Sequence, residues 1–424
     1  MKLTIVIPAF NEEEAIGSAI ERCLAAREGI IAASPVTAVE IIVVSDGSTD
    51  ATASVAREHE GVSVIVFERN RGYGAAIKAG FAAGTGELVG FLDADGTCDP
   101  VFFGPLCDAL FDKNAAVALG SRMGQGSRMP LIRRIGNTIY ALILSVLSNR
   151  VVTDSASGMR VIRRDALGAL YPLPDGLHFT PAMSARVLMD DRLAIVELPM
   201  SYEERIGESK LHVLRDGVRF LRTIFEMTLM WRPAKLFVVA AIGLFLTTVA
   251  LGLHPIETWL RTGALREDSI YRLLFCCLLA ALGMLFLSTG VVAENVHRLV
   301  DDRLPVRTFA WTMINRAYSL NGVVVAGLLT LPATALLIGP GVWTRLTDGY
   351  VDLHWSRVVL AGLIGFCAVQ MLVAVLMANI LRFHAARRHR SSAEQITASA
   401  TVRRRSASVT QPDPTAPATL IAVD

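Results

Sequence analysis

Over the first 120 residues, short apolar runs alternate with stretches in which apolar side chains recur every three or four positions. The runs at 3–7, 40–45, 62–67, 86–92 and 115–119 are rich in β-branched and aromatic residues and read as strands. Between the first two, Ala15, Ile16, Ala19, Ile20, Cys23 and Leu24 mark an amphipathic helix. Asn11 reads as its cap, with Glu12, Glu13 and Glu14 in a first turn that favours acids. Alternating strands and helices predict a mainly parallel, doubly wound sheet. Polar clusters follow the strands: Asn11, then Asp46 and Asp50, then Arg71, then Asp93 and Asp95. In such sheets the ligand crevice lies outside the carboxyl ends of the strands.

The pattern changes beyond residue 210. Arg215, Arg219 and Arg222 are interleaved with Leu214, Val218, Phe220, Leu221 and Ile224, which reads as a surface helix leading to a bilayer and broken by Pro233. Four apolar spans follow, at 236–253, 273–293, 322–341 and 358–381, each near the ~20 residues that a bilayer core requires. Arg232 and Lys235 precede span one, Arg298, Arg303, Arg307 and Arg316 join spans two and three, and Arg382, Arg387, Arg388 and Arg390 follow span four. Basic loops stay inside, so both termini and the N-terminal half are expected to be cytoplasmic. The expected organisation is a catalytic domain at 1–210, an amphipathic juxtamembrane helix at 211–234, a four-helix transmembrane domain at 235–382 and a disordered tail at 383–424. The transmembrane helices are a candidate surface for homo-oligomers.

Composition agrees with a membrane protein: 52% of residues are hydrophobic and 19% charged, with a mean hydropathy of +0.46. A net charge of +2 is too near neutral to suggest nucleic acid, and no such partner is expected. The six cysteines show neither metal spacing nor a disulfide framework. The N-terminus does not read as a signal peptide, since Pro8 and three glutamates soon follow its few apolar residues.

The chemistry centres on Asp93 and Asp95. Two residues apart at a strand end, their carboxylates share one side and repel each other. A hard divalent cation with positions left for phosphate oxygens relieves that repulsion; a solvated turn is the plainer alternative. Gly72-Tyr73-Gly74 is a partial dinucleotide fingerprint, but it lacks the third glycine and lies in the third βα turn. Further on, Arg128, Arg133 and Arg134 stand among Met129, Leu131, Ile132 and Ile135, ahead of the apolar stretch 140–147. A helix with a basic start and an apolar body suits a membrane surface, its arginines a lipid phosphate. The alternative is a core helix with solvated arginines.

Four motifs in order, Val6-Ile7-Pro8-Ala9-Phe10-Asn11-Glu12, Val44-Ser45-Asp46-Gly47-Ser48-Thr49-Asp50, Asn70-Arg71-Gly72 and Asp93-Ala94-Asp95, resemble family 2 glycosyltransferases of the GT-A fold. The resemblance implies an α/β GT-A (nucleotide-diphospho-sugar transferase) domain followed by an all-α membrane domain. It implies that Pro8, Ala9, Asn11, Glu12 and Asp46 hold the base and ribose, with Arg71, Lys78 and Ala94 also at the donor. Asp93 then contacts the donor nucleotide, and Asp95 with Asp93 takes Mg2+ or Mn2+. For Lys78 a solvated helix face is the equal alternative.

Asp154-Ser155-Ala156-Ser157-Gly158-Met159-Arg160 and Arg205-Ile206-Gly207-Glu208-Ser209-Lys210-Leu211 resemble signatures of polyprenyl-phosphate hexose synthases, the dolichol-phosphate mannose synthase group. That resemblance implies a loop closing over the donor, with Arg205 and Lys210 neutralising its diphosphate. It places the acceptor phosphate on Arg122, Arg133, Arg134, Ser157 and Arg160. The chain departs from the pattern in two places: Thr97 stands where those enzymes commonly carry Gln, and His178-Phe179-Thr180-Pro181 replaces an acidic motif. A lipid phosphate needs no base, whereas an alcohol acceptor would, and Asp154 is the nearest candidate. The expected function is inverting, metal-dependent transfer of one sugar to undecaprenyl or dolichyl phosphate. The alternatives are a lipid hydroxyl or growing polysaccharide as acceptor, although the Q-x-x-R-W motif of polysaccharide synthases is absent at Met230-Trp231-Arg232-Pro233, or a non-catalytic nucleotide-sugar-binding scaffold.

Overall fold

A computed structural model describes residues 1–124, 127–206, 212–262, 269–300, 309–351 and 353–409. The chain forms two compact units, one spanning Met1–Ile242 and the other taking up at Gly243.

The first unit is built on a seven-stranded sheet of order β3-β2-β1-β4-β6-β5-β7. Its strands are β1 (Lys2–Ala9), β2 (Ala38–Ser45), β3 (Ser63–Val66), β4 (Leu88–Phe91), β5 (Val117–Ser121), β6 (Arg160–Arg163) and β7 (Ile195–Pro199). The first four pair in parallel, and so do β5 and β7. β6 runs antiparallel between β4 and β5. The sheet is therefore mainly parallel, as expected, with β6 antiparallel to both of its neighbours. β6 and β7 escape sequence reading because one carries arginines at both ends and the other a glutamate at its centre.

Alternation along the strands builds two cores. Leu3, Ile5 and Ile7 face one layer with the helices Ile16–Ala25 and Phe103–Asp112. Val6, Phe91 and Phe179 face the other, with Tyr73–Ala83 and Phe179–Met189. Each such side chain, fully buried, contributes about 1.5–3 kcal/mol, which holds the strand ends in place for the site above them. Asn11 does not cap the first helix. It adopts a left-handed φ of 51°, and the helix starts only at Ile16. Its carboxamide oxygen instead accepts from the Thr49 backbone N–H (2.8 Å).

Two amphipathic helices complete this unit. Leu131–Ser148 buries Asn137, Ala141, Leu144, Leu147 and Ser148, while Leu131, Ile135, Ile139, Leu142 and Val146 are exposed on the opposite face. Val213–Trp231 packs beside it and exposes Leu214, Val218, Leu221, Phe225 and Leu229.

Among the described residues, five helices are long and apolar enough to cross a membrane. One is Leu131–Ser148, which joins the sheet's core and links β5 to β6. The other four, Pro233–Thr262, Ile270–Val300, Leu320–Asp348 and Trp355–Val409, contain the four expected spans. Within the second unit, Arg382 donates to Asn295 (2.9 Å) and Asn315 (2.7 Å), tying three helices together. The last helix continues to Val409, into the stretch read as a disordered tail. No proline interrupts the chain between Trp355 and Pro412.

Candidate active site

A cavity of about 470 Å³ opens at the C-terminal ends of β1, β2, β4 and β5. Pro8, Ala9, Glu12 and Asp46 line it, together with Asp93, Ala94, Asp95, Arg122, Arg133 and Arg205. These expected residues, far apart in sequence, therefore share one wall or another of a single chamber.

Asp46, almost fully buried, accepts from the backbone N–H groups of Arg71 (2.7 Å) and Gly72 (2.9 Å). The 70–72 turn is thereby pinned to the end of β2. The Arg71 side chain itself is exposed and stacks 4.6 Å over Phe67, away from the cavity lining. Lys78 is also off the lining: its ammonium donates to the Leu173 carbonyl (2.9 Å) and pairs with Asp175 (2.5 Å). Neither matches the donor-side role that the resemblance implied. Asn11 is bound up with Thr49 and does not line the cavity.

The two aspartates have different surroundings. Asp93 accepts from the Tyr73 hydroxyl at 2.6 Å. Burial and then repulsion from Asp95 push its carboxyl up to about 7. Burial, followed by the Asp93 charge, raises the Tyr73 hydroxyl well above its ordinary value, so it remains a donor at neutral pH. Gly158 closes the other side: a Cβ on that residue would lie 1.9 Å from Asp93 Oδ2. Asp95 accepts from the Thr97 hydroxyl (2.7 Å) and backbone N–H (3.2 Å) through Oδ1. Its Oδ2 lies 3.3 Å from the Arg205 guanidinium, which also donates to Glu12 at 2.6 Å.

Thr97, a departure from the family pattern, thus orients Asp95. Among the described residues no third acid, histidine or cysteine joins the pair to form a metal cluster. The donor set still fits a divalent cation: two hard carboxylates that repel each other, and a guanidinium beside Asp95 where positive charge is favoured. Phosphate oxygens and water complete such coordination spheres in other proteins.

A strap runs over the aspartate turn. Glu203 N–H donates to the Thr97 carbonyl (2.9 Å) and Ile206 N–H to the Asp95 carbonyl (3.0 Å), which places Arg205 over the pair. Lys210 lies outside the described residues.

The remaining wall is cationic and apolar. Arg122 lines it, as do Met129, Ile132, Arg133, Gly136 and Tyr140 from one helix and its approach, and Gly217, Arg219 and Phe220 from the other. Tyr140 and Phe220 meet edge to face at 6.0 Å. Arg134 points elsewhere, donating to the Met123 carbonyl at 3.3 Å. Ser157 and Arg160 are fully buried and do not line the cavity. Ser157 donates to the Gly120 carbonyl (2.5 Å), and Arg160 to the carbonyls of Ser157 (3.1 Å) and Ser155 (3.0 Å). They brace the 155–158 turn and sit off the cavity lining, apart from the acceptor phosphate that the motif implied.

Sequence reading missed Tyr73, Thr180, Tyr202 and Arg219 as lining residues. Only Arg219 carried a signal, as a basic residue on an amphipathic helix; the others meet the site through tertiary contacts alone.

The chain matches the model of the Glycosyl transferase family 2 over residues 4–170. It is 33% identical over 246 residues to a low-salt glycan biosynthesis hexosyltransferase of Haloferax volcanii, covering 57% of this chain and 56% of that one, so it spans little more than half of that relative's length. It is 31% identical to a dolichyl-phosphate hexose transferase of the same organism, over 54% of this chain and 94% of the relative. An undecaprenyl-phosphate 4-deoxy-4-formamido-L-arabinose transferase of Sodalis glossinidius is 27% identical over 71% of this chain and 90% of its own.

Proposed function

The chain belongs to glycosyl transferase family 2, and from that premise we propose that it moves one sugar, with inversion at the anomeric carbon, from a nucleotide-diphosphate sugar to a polyprenyl phosphate. One observation carries the choice of acceptor: among the described residues, every carboxylate lining the cavity already has a hydrogen-bond or ion-pair partner. Glu12 is held by Arg205, Asp46 by the 71–72 backbone, Asp93 by Tyr73, and Asp95 by Thr97 and Arg205. An alcohol acceptor needs a base to take its proton. A phosphate monoester, with a second pKa of about 6, is already an oxyanion at neutral pH. It needs positioning and cations. The relatives named for dolichyl phosphate and undecaprenyl phosphate support the same acceptor class.

In this reading Pro8, Ala9 and Asp46 face the nucleotide, and Asp93 and Asp95 hold Mg2+ or Mn2+. When bound, the cation offsets the charge that builds on the departing diphosphate. Arg205 faces the same diphosphate from the strap. Arg122 and Arg133 hold the acceptor phosphate, and Ile132, Tyr140 and Phe220 receive the first carbons of the lipid. An acceptor oxygen lone pair forms the new bond to the anomeric carbon as the bond to the diphosphate breaks. The electron pair leaves with the nucleotide diphosphate, and no proton changes hands.

The exposed apolar faces of Leu131–Ser148 and Val213–Trp231 suit a seat in the membrane surface, and the basic loops suit a cytoplasmic catalytic unit. A single cysteine introduced near Arg316 should react with an impermeant maleimide only in inverted vesicles; labelling in right-side-out vesicles would reverse the orientation.

The chemistry is tested by supplying purified protein with Mg2+ or Mn2+, a panel of nucleotide sugars, and undecaprenyl phosphate or undecaprenol. The expected product forms on the phosphate and releases its sugar in mild acid, since a glycosyl phosphate is acid-labile. An acid-stable product on the alcohol would refute the reading.

A further inference from the structure

Arg122 follows β5 and reaches the cavity wall, yet most of its guanidinium is committed elsewhere. Asp154 accepts from Arg122 Nε (2.7 Å) and backbone N–H (2.9 Å) through Oδ2, and from Nη2 (2.8 Å) through Oδ1. Oδ1 also accepts from the Ala156 N–H at 3.1 Å. The Tyr202 ring stacks 5.6 Å from the guanidinium carbon. This leaves the Nη1 edge of Arg122 for a ligand.

Asp154 is itself held in place. It is fully buried and absent from the cavity lining. Glu197 on β7 accepts from the backbone N–H groups of Thr153 (2.9 Å) and Asp154 (2.9 Å) and from the Thr153 hydroxyl (2.5 Å). A chain of fixed contacts thus runs from β7 through Asp154 to a cationic edge at the chamber wall.

We propose that Asp154 is a positioning residue that aims Arg122 at the acceptor phosphate, and that it is not the base of an alcohol acceptor. Both of its oxygens are occupied by donors, so neither can accept a substrate proton. Burial pushes its carboxyl up, but the Arg122 charge and hydrogen bonds more than offset this and keep it below the ordinary carboxylate range. The bidentate geometry restricts the guanidinium to one plane, which a freely rotating arginine would lack. The inference rests on the lipid-phosphate reading above.

The test compares Asp154→Asn, Arg122→Ala and the double variant in the full-length protein in detergent micelles. Undecaprenyl phosphate and undecaprenol serve as alternative acceptors, with the nucleotide sugar on which the wild type is active. Asp154→Asn should raise the KM for undecaprenyl phosphate about ten- to a hundredfold. It should leave kcat within about threefold and the pH profile of kcat unchanged, because no proton is being moved. The double variant should be no worse than Arg122→Ala, since the aspartate acts through the arginine. If Asp154→Asn does not fold, Glu197→Gln replaces it and should raise the same KM about threefold, the effect of a more distant support.

A collapse of kcat with KM unchanged and the acid limb of the pH profile lost would make Asp154 the base. Additive losses in the double variant, or an unmoved KM in the folded variant, would also overturn the proposal while the wild type still glycosylates the phosphate. A wild type that uses undecaprenol alone would instead sink the functional reading beneath it.

Discussion

Asp95→Ala is expected to lower kcat by about a thousandfold or more, the scale reached when a preorganised charge contact is removed from a transition state. The physical basis lies in where its two oxygens point. Thr97 fixes Oδ1 through two hydrogen bonds, and Oδ2 faces Arg205. Alanine removes the carboxylate that the Thr97 hydroxyl orients, and in the proposed reading Asp93 would be left alone to hold a divalent cation. The fold should tolerate the change. Removing one of two like charges relieves the repulsion on Asp93, and Arg205 keeps Glu12 as a partner. Thermal unfolding should therefore move by only a few degrees, while Mg2+ or Mn2+ no longer restores turnover to EDTA-treated protein. A variant that still turns over within tenfold of the wild type would remove Asp95 from the mechanism.

Gly158→Ala should cost nearly as much, about a hundredfold or more in kcat, although it adds a single methyl group. The backbone of Gly158 is not among the left-handed glycines, so alanine meets no conformational strain there. The obstacle is the Asp93 carboxylate, whose Oδ2 would lie 1.9 Å and Cγ 2.5 Å from the new Cβ. Asp93 is short and tied to Tyr73, so it can only yield by leaving its pose. The first casualty is the geometry of the carboxylate pair and the second is stability. The expected signature is lost turnover with an unfolding midpoint close to wild type. A folded Gly158→Ala enzyme with full activity would show that the pose of Asp93 does not matter. A matching loss in Gly158→Ala and Asp93→Ala, with no further loss on combining them, would show that both act on one carboxylate.

Much of the first unit is written in local patterns. β1 to β5 are apolar runs of strand length, and the polar residues that follow them fall at one sheet edge because consecutive parallel strands share a direction. The four apolar helices after residue 232 are equally legible, since a bilayer's thickness sets their length. Asp93, Asp95 and Arg205, which the motifs singled out, all line the cavity.

Motif membership did not say which way a side chain points. Arg160 and Ser157 belong to the same short signature as Gly158, yet both turn inward to brace the turn, while Ala156 and Gly158 line the cavity. Arg133 and Arg134 are neighbours, but helical geometry sets them about 100° apart, and one lines the chamber while the other holds the Met123 carbonyl. Lys78 lies on the right helix and is consumed by Asp175.

From the sequence alone came the class of fold, the membrane segments and the carboxylate pair, because each depends on periodicity or on residues close in the chain. Tertiary structure alone decided what surrounds the pair: Tyr73 from the start of the helix after β3, Gly158 from the turn before β6 and Arg205 from the strap after β7. It also decided that Asp154 serves Arg122. These contacts join residues separated by tens to more than a hundred positions. Their geometry is fixed by how strands are ordered in the sheet, and no local pattern encodes that order.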